Sequence, residues 1–231
     1  MDRCREKGFV TAIPNKRHAQ PLLGYLTVEQ VQAIVEAPDP TTFSGQRDRL
    51  LFQLLYNTGA RVSEIVALNR QDLTTDTCQS VTLHGKGRKE RMVPLWSKTS
   101  RQMRQWLDRL PTEPTTPVFP NRLGTRLSRF GIEKRLSEVA RKAAQVCPSL
   151  RGRRVSPHLF RHTTAMHLLQ SGVDITAIAL WLGHESPLTT HKYIEADLEM
   201  KKKTLHHLKE PKVKPATYQP KDSLLAFLEA L

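Results

Sequence analysis

The sequence predicts a mainly α-helical domain with one small antiparallel β-sheet, which is an α+β fold. Three observations support this prediction. Apolar residues recur at helical spacing in several segments, and these segments are bounded by N-cap residues and glycines. One short stretch alternates apolar and polar residues around a glycine-containing turn, as in a β-hairpin. The 231 residues contain neither an internal repeat nor a low-complexity block, which suits one large domain with appendages.

The N-terminal part of the sequence predicts an arm or linker followed by two helices. The first 24 residues are polar and basic without periodicity, which is typical of an arm or linker. Thr27 then provides an N-cap, with Gln30 in the capping-box position, and we expect a helix that ends near Ala37. A second helix ends at Gly59, and its apolar stripe consists of Leu50, Leu51, Leu54 and Leu55.

A β-hairpin and further helices are predicted in the remainder of the domain. The segments "SVTLH" and "RMVPL" flank a "GKG" turn and alternate in polarity. We expect the other helices over residues 63–68, 98–110, 128–145, 157–171 and 174–182. A Pro- and Thr-rich loop separates two of them, and another helical region is expected to begin near Leu188.

The C-terminal residues change in character. "KEPKVKPATYQP" has the composition of an extended linker, and "DSLLAFLEAL" predicts a short apolar helix. That helix is too short to be stable alone in water, so it packs on its own domain or docks on a neighbouring protomer. We therefore expect an N-terminal arm or linker over 1–24, the main domain over 25–208, and a C-terminal linker and helix over 209–231.

The composition indicates a polyanionic partner. The chain has 36 Lys and Arg against 22 Asp and Glu, a formal charge of +14 at pH 7, and chains this basic commonly bind nucleic acid. Its three cysteines are far apart, which predicts neither a disulfide framework nor a zinc knuckle. The sequence lacks a signal-peptide pattern and any apolar run near the roughly 18 residues of a membrane span. We therefore expect a cytoplasmic protein without a membrane partner.

The helix predicted within "SPHLFRHTTAMHLLQSG", residues 156–172, has an unusual first turn. His158 and Arg161 are three residues apart and share one face. A cation in the first turn opposes the helix dipole, which favours negative charge there. One explanation is a bound anion that uses both side chains. The alternative is that Arg161 pairs with a nearby carboxylate and that His158 is a buried, hydrogen-bonded histidine.

Five other residues are candidates to join them at an anion. Arg61 follows a helix-ending glycine, and Glu64 lies one turn further on, where it can orient the guanidinium. Lys86 lies between two glycines at the tip of the hairpin. His184 comes just after the helix over 174–182, and Tyr193 follows nine residues later.

These residue types suit phosphoryl transfer without a metal ion. Arginine binds two phosphate oxygens at once and stays charged, so two arginines can provide the stabilisation that metal ions give elsewhere. A tyrosine hydroxyl can act as the nucleophile, and a lysine can protonate the leaving oxygen. Lys89 lies on the same hairpin and is a rival to Lys86 for this role. A zinc site at His158 and His162 is disfavoured, because the signature glutamate is absent and Arg161 would repel the metal.

Five motifs together carry a resemblance to a known family. "TGARVSEIVAL", "HGKGRKERMVPL", "PHLFRHTTAMHLLQSG", "LWLGH" and "TTHKYIEAD" occur in this order and resemble the tyrosine recombinases of the phage-integrase type. The resemblance implies a catalytic domain whose fold is shared with type IB topoisomerases. The implied roles are Arg61 and Arg161 as catalytic arginines, Glu64 as the acid supporting Arg61, Lys86 as general acid, His158 and His184 as catalytic histidines, and Tyr193 as nucleophile.

The resemblance also implies a function. A family member cuts double-stranded DNA, leaves a 3′-phosphotyrosine and a free 5′-hydroxyl, and rejoins strands without metal, ATP or another cofactor. Recombination requires a homotetramer on paired DNA sites. Family members usually carry an N-terminal helical clamp domain, and residues 1–24 resemble the linker that follows it. Two other interpretations stay open: relaxation of supercoils in the manner of a type IB topoisomerase, and a DNA-binding relic that lacks the clamp.

Overall fold

A computed structural model of the chain describes residues 24–73, 77–85, 87 and 89–183. The chain divides into two units, residues 1–194 and 195–231, and all the described residues belong to the first unit. The predictions for the N-terminal arm, for the helical region near Leu188 and for the C-terminal linker and helix lie outside the described residues.

The first two helices begin and end at the predicted signals. Helix α1 (Val28–Glu36) has the predicted capping box: the Thr27 hydroxyl accepts from the Gln30 N–H, and the Gln30 side chain accepts from the Thr27 N–H. Helix α2 (Phe43–Thr58) ends at Gly59, whose φ of 60° is left-handed. Glycine adopts this conformation without the steric cost that a β-carbon brings, so the residue terminates the helix.

The predicted hairpin forms a two-stranded antiparallel sheet. Strand β1 (Ser80–His84) pairs with β2 (Glu90–Pro94), and Leu83 lies opposite Arg91 in the register. Because alternate residues of a strand share a face, Arg91 lies on the same face as Val93, which is buried. An arginine therefore occupies the inner face of this hairpin.

The remaining helices match the predictions to within a few residues. They are α3 (Val62–Ala67), α4 (Ser97–Leu107), α5 (Arg129–Ala143), α6 (Pro157–Gln170) and α7 (Ile175–Leu182). The helix predicted over 98–110 ends three residues early, because Leu110 donates its N–H to the Leu107 carbonyl in a tighter turn. None of the described helices is both long enough and apolar enough to cross a membrane.

Helix α2 lies at the centre of the core and contacts α1, α3, α4 and α6. Its predicted apolar stripe is almost completely buried. The end of α2 also approaches α7 closely, since a β-carbon at Gly59 would lie 2.4 Å from Cδ2 of Leu182. A larger residue at 59 would have to displace the buried Leu182 side chain. The packing thus brings the C-terminal ends of α2 and α7 together, beside the start of α3.

Candidate active site

Three arginines from separate elements bind the C-terminal end of α7. Each one donates to a different carbonyl of three consecutive residues. The pairs are Arg91 Nε to Trp181 O (2.9 Å), Arg161 Nη2 to Leu182 O (2.7 Å) and Arg61 Nη2 to Gly183 O (3.2 Å). The last carbonyls of a helix lack partners within the helix and carry partial negative charge. The arginines therefore fix the helix end that directly precedes His184.

Arg161 uses two helix ends at once. Its side chain is buried, and Nη1 donates to the Gly59 carbonyl at the end of α2 at 2.6 Å, while Nη2 reaches α7. A positive charge is favourable at both of these C-terminal ends. The cation in the first turn of α6 is thus held by the carbonyls of two other helices, partners that the sequence did not predict.

The start of α6 follows the predicted cap. The Ser156 hydroxyl accepts from the Leu159 N–H at 3.2 Å, and Pro157 is the first helical residue. His158, in contrast with Arg161, is exposed to solvent. The alternative of a buried histidine is therefore wrong for His158, and its ring is accessible to a ligand.

Glu64 is buried between Arg61 and Arg91. Its Oε2 accepts from the backbone N–H of Arg61 at 2.7 Å, and Oε1 accepts from Nη1 of Arg61 at 3.1 Å. The contact with the guanidinium is the one predicted from the sequence. Burial by itself raises the pKa of the Glu64 carboxyl. The hydrogen bonds and charge of Arg91, with further hydrogen bonds from Arg61, outweigh burial and hold this pKa below its usual value.

Arg91 is a site residue that sequence reasoning missed. It donates from Nη1 to Oε1 of Glu64 at 2.8 Å and from Nη2 to Oε2 at 2.9 Å, a bidentate pair. The available signal was the alternation of β2, which puts Arg91 on the buried face with Val93. A cation at an inward-facing strand position needs a buried partner, because an unpaired buried charge is costly.

The hairpin turn that carries Lys86 begins next to Glu64. Gly85 donates its N–H to the Lys89 carbonyl at 2.7 Å, and a β-carbon at Gly85 would lie 3.7 Å from Oε1 of Glu64. Lys86 itself, His184 and Tyr193 lie outside the described residues, and their predicted roles stay predictions.

The arrangement is suited to binding an anion. Arg61 exposes 42% of its side chain, whereas Arg91 exposes 12% and Arg161 is buried. One guanidinium is thus held in place by a carboxylate and a helix end while part of it faces solvent. Across the part of the chain that the structure describes, no group of three His, Cys, Asp or Glu side chains is arranged to hold a metal ion.

Comparison with known proteins identifies relatives over most of the chain. Residues 24–200 match the phage integrase family. A putative integrase/recombinase of Sinorhizobium fredii is 43% identical over 222 residues, which are 96% of this chain and 67% of that protein. Tyrosine recombinase XerC of Chlamydia pneumoniae is 37% identical over 184 residues. That match covers 78% of this chain and 56% of XerC, so the chain spans little more than half of the chlamydial protein.

Solved structures agree with the sequence matches. XerA recombinase superposes with a TM-score of 0.64 and 25% identity, covering 80% of this chain and 66% of XerA. XerH bound to palindromic difH substrate gives a TM-score of 0.66 and 25% identity, covering 80% of this chain and 53% of XerH. The fold is that of the catalytic domain of tyrosine recombinases. With the match over residues 24–200, the chain belongs to the phage integrase family.

Proposed function

We propose that this chain is a site-specific recombinase that cleaves and rejoins double-stranded DNA through a 3′-phosphotyrosine at Tyr193. The observation that carries the proposal is the convergence of Arg61 and Arg161, from different elements, on consecutive carbonyls of one helix end. The formal charge of +14 supports a polyanionic substrate. XerH bound to difH substrate, among the relatives, supports DNA as that substrate. These relatives favour recombination over topoisomerase-like relaxation.

In the proposed reaction, the Tyr193 oxygen attacks the scissile phosphorus, and the bond from phosphorus to the 5′-oxygen breaks. The tyrosine proton leaves to a base, a task that a histidine can perform near neutral pH. Lys86 supplies a proton to the leaving 5′-oxygen. The reverse sequence, with a 5′-hydroxyl as attacking group, rejoins the strand. Because the phosphotyrosyl ester keeps the energy of the broken bond, no ATP is consumed.

Negative charge accumulates on the non-bridging phosphate oxygens during the attack. We assign its stabilisation to Arg61 and Arg161, which remain protonated and bind such oxygens in a fixed geometry. We propose that the exposed His158, and His184, which follows α7 in the sequence, contact the same phosphate. Cleavage should therefore survive an excess of EDTA. Loss of cleavage with EDTA, restored by one divalent ion, would contradict this part of the proposal.

A covalent-adduct experiment tests the nucleophile. The full chain is incubated with a library of random duplex DNA and with DNA that flanks its gene, and denaturation-resistant protein–DNA species are sequenced. Tyr193→Phe should keep DNA binding and lose the covalent species, because phenylalanine lacks the attacking oxygen. Tyr218→Phe, a tyrosine outside the motif, is the matched control and should behave as wild type. An adduct that persists in Tyr193→Phe, or a wild type that forms none, would reject the proposal.

A modified substrate tests the general acid. A nicked duplex of the selected sequence carries sulfur in place of the 5′-bridging oxygen, and this sulfur leaves without protonation. Lys86→Ala should slow cleavage of the ordinary substrate strongly and recover on the sulfur substrate. If Lys89→Ala shows this rescue and Lys86→Ala does not, the general acid is Lys89.

The proposal extends to assembly. We place the catalytic domain at residues 25–208 of a cytoplasmic protein that forms a homotetramer on paired DNA sites. Docking of the terminal helix on a neighbouring protomer would join the subunits in a ring. Removal of residues 211–231 should then leave binding to a single site nearly intact and reduce assembly on paired sites, as measured by light scattering and native gels. Unchanged assembly, or loss of stability of the monomer, would indicate that the helix packs on its own domain.

A further inference from the structure

Arg91 links three elements that surround the candidate active site. From its position on β2 it donates to both carboxylate oxygens of Glu64 on α3, and its Nε donates to the Trp181 carbonyl of α7. Its side chain is only 12% exposed. All three nitrogens of the guanidinium therefore donate hydrogen bonds. Nη1 and Nη2 bind the Glu64 carboxylate, which also binds Arg61, and Nε binds the end of α7.

The carboxylate of Glu64 is shared between two arginines. Its Oε1 accepts from Nη1 of both Arg61 and Arg91, and its Oε2 accepts from the Arg61 N–H and from Nη2 of Arg91. A bidentate pair fixes the plane of the carboxylate, and so fixes the direction in which Oε1 receives Arg61. The half-exposed Arg61 side chain is otherwise long and rich in rotamers.

The contact of Arg91 with α7 is also tight. A β-carbon at Gly183 would lie 2.9 Å from Nη1 and 3.0 Å from Cδ of Arg91. Arg91 therefore packs directly on the residue whose carbonyl receives Arg61. The Arg91 side chain therefore contacts both partners of Arg61, the Glu64 carboxylate and the end of α7.

We propose that Arg91 is a positioning residue for the cleavage reaction, acting on Arg61 through Glu64 and through the end of α7. The inference rests on the proposed function. Arg91 does not touch the phosphate in this proposal. It holds Arg61 in the orientation in which its exposed part meets the non-bridging oxygens, so its loss reduces the rate of cleavage and leaves DNA affinity nearly unchanged.

The first test compares variants of Arg91 on a nicked duplex that carries the sequence selected by wild-type adduct formation. Arg91→Ala should slow adduct formation by up to about 10²-fold, the loss that a misplacement of about 1 Å can cause, with little change in the dissociation constant for DNA. Arg91→Lys should recover only part of the rate, because an ammonium group cannot form the bidentate pair. A wild-type rate in both variants would overturn the inference.

Two measurements separate positioning from a general loss of structure. The double variant Arg91→Ala with Glu64→Gln should be slowed by far less than the product of the two single effects, because both residues act on Arg61 and share the route through Glu64. Multiplicative effects would show independent roles and overturn the inference. The 5′-sulfur substrate should not rescue Arg91→Ala, since the defect lies in charge stabilisation. Rescue like that expected of Lys86→Ala would assign Arg91 to the general acid instead.

Arg126 provides a matched control. Its guanidinium donates to three carbonyls at the end of α3, those of Val66, Ala67 and Leu68, without contacting Glu64. Arg126→Ala should cleave at the wild-type rate. If it slows cleavage as much as Arg91→Ala does, stability of α3 explains both results and the inference fails. Absence of an adduct with the wild-type chain would instead count against the proposed function, which keeps the two failures distinct.

Discussion

Among the described residues, two buried carboxylates are each bound by two arginines, yet only one of them belongs to the candidate active site. Asp48 on α2 binds Arg47 and Arg135, and Glu64 on α3 binds Arg61 and Arg91. Both carboxylate side chains are 2% exposed. The more exposed arginine of each cluster also has a similar exposed fraction of its side chain, 33% for Arg135 and 42% for Arg61.

The clusters differ in what surrounds them. Around Asp48, Arg47 is almost fully buried and also donates to the Pro120 carbonyl, so the cluster ties α2 to a neighbouring loop and, through Arg135, to α5. Around Glu64, Arg61 continues to the helix end that also receives Arg161. A buried acid between arginines therefore does not mark a functional site by itself. The cluster around Glu64 differs because Arg161, which is held separately by the end of α2, binds the same helix end as Arg61.

The largest effect is expected at the structural cluster. Asp48→Ala leaves the buried charge of Arg47 without its carboxylate, and breaking a buried pair in this way costs about 3–5 kcal/mol. Urea unfolding should show this loss, whereas Arg135→Ala, which removes the partly exposed partner, should cost about 1 kcal/mol or less. Equal losses for the two variants would contradict the assignment of Arg47 as the buried charge that needs Asp48.

The next largest effect is expected at the candidate active site, where a substitution should lower the rate of cleavage. Arg61→Ala should slow covalent cleavage by about 10²–10³-fold, the usual cost of removing one group that stabilises transition-state charge. Its unfolding free energy should fall by only about 1 kcal/mol or less, because the side chain is 42% exposed and Arg91 still pairs with Glu64. Arg135→Ala is the control at the other cluster and should cleave as wild type. A slow Arg135→Ala variant would remove the functional distinction between the clusters.

The smallest effect is expected at His84. Here the charges are the reverse of those in the two clusters, because a histidine lies between two carboxylates. His84 contacts Asp72 at 2.9 Å and Glu90 at 3.0 Å, and the hydrogen bond with Asp72 is the main cause that raises the pKa of His84 above 6.5. The stabilisation is complete below pH 6.5 and is lost as the pH rises through the raised folded-state pKa. Since 42% of the side chain is exposed, we expect less than about 1 kcal/mol.

Urea unfolding on both sides of that pKa measures this effect. His84→Gln should lose the part of the pH dependence that is due to the histidine, because glutamine does not titrate. If wild type and His84→Gln show the same pH dependence, the two carboxylates do not stabilise a charged histidine.

The fold was predictable from the sequence because its signals are local. The capping box of Thr27 and Gln30 and the helix-ending Gly59 each depend on neighbouring residues, and the structure confirms them. The alternation of the hairpin strands predicted the sheet in the same way. The end of α4 was missed by three residues, because the helix gives way there to a tighter turn in which the Leu110 N–H binds the Leu107 carbonyl.

The site was predictable only in part. The contact between Arg61 and Glu64 follows from their spacing of three residues, and the structure contains it. The carbonyl partners of Arg161 and the contact of Arg91 with α7 require distant elements to meet in space, which no short motif encodes. The roles of Lys86, His184 and Tyr193 stay predictions from the motif order.

The backbone conformation of Gly183 and its contact with Arg91 restrict which residue can occupy position 183. Its φ of 64° disfavours a β-carbon, and a β-carbon would in addition press against the Arg91 side chain. A larger residue at 183 is therefore strained by its backbone conformation whatever residue stands at 91, and beside Arg91 it also presses on the side chain that forms the bidentate pair with Glu64. A substitution at 183 thus reaches the Glu64 carboxylate through Arg91, a residue 92 positions earlier in the chain.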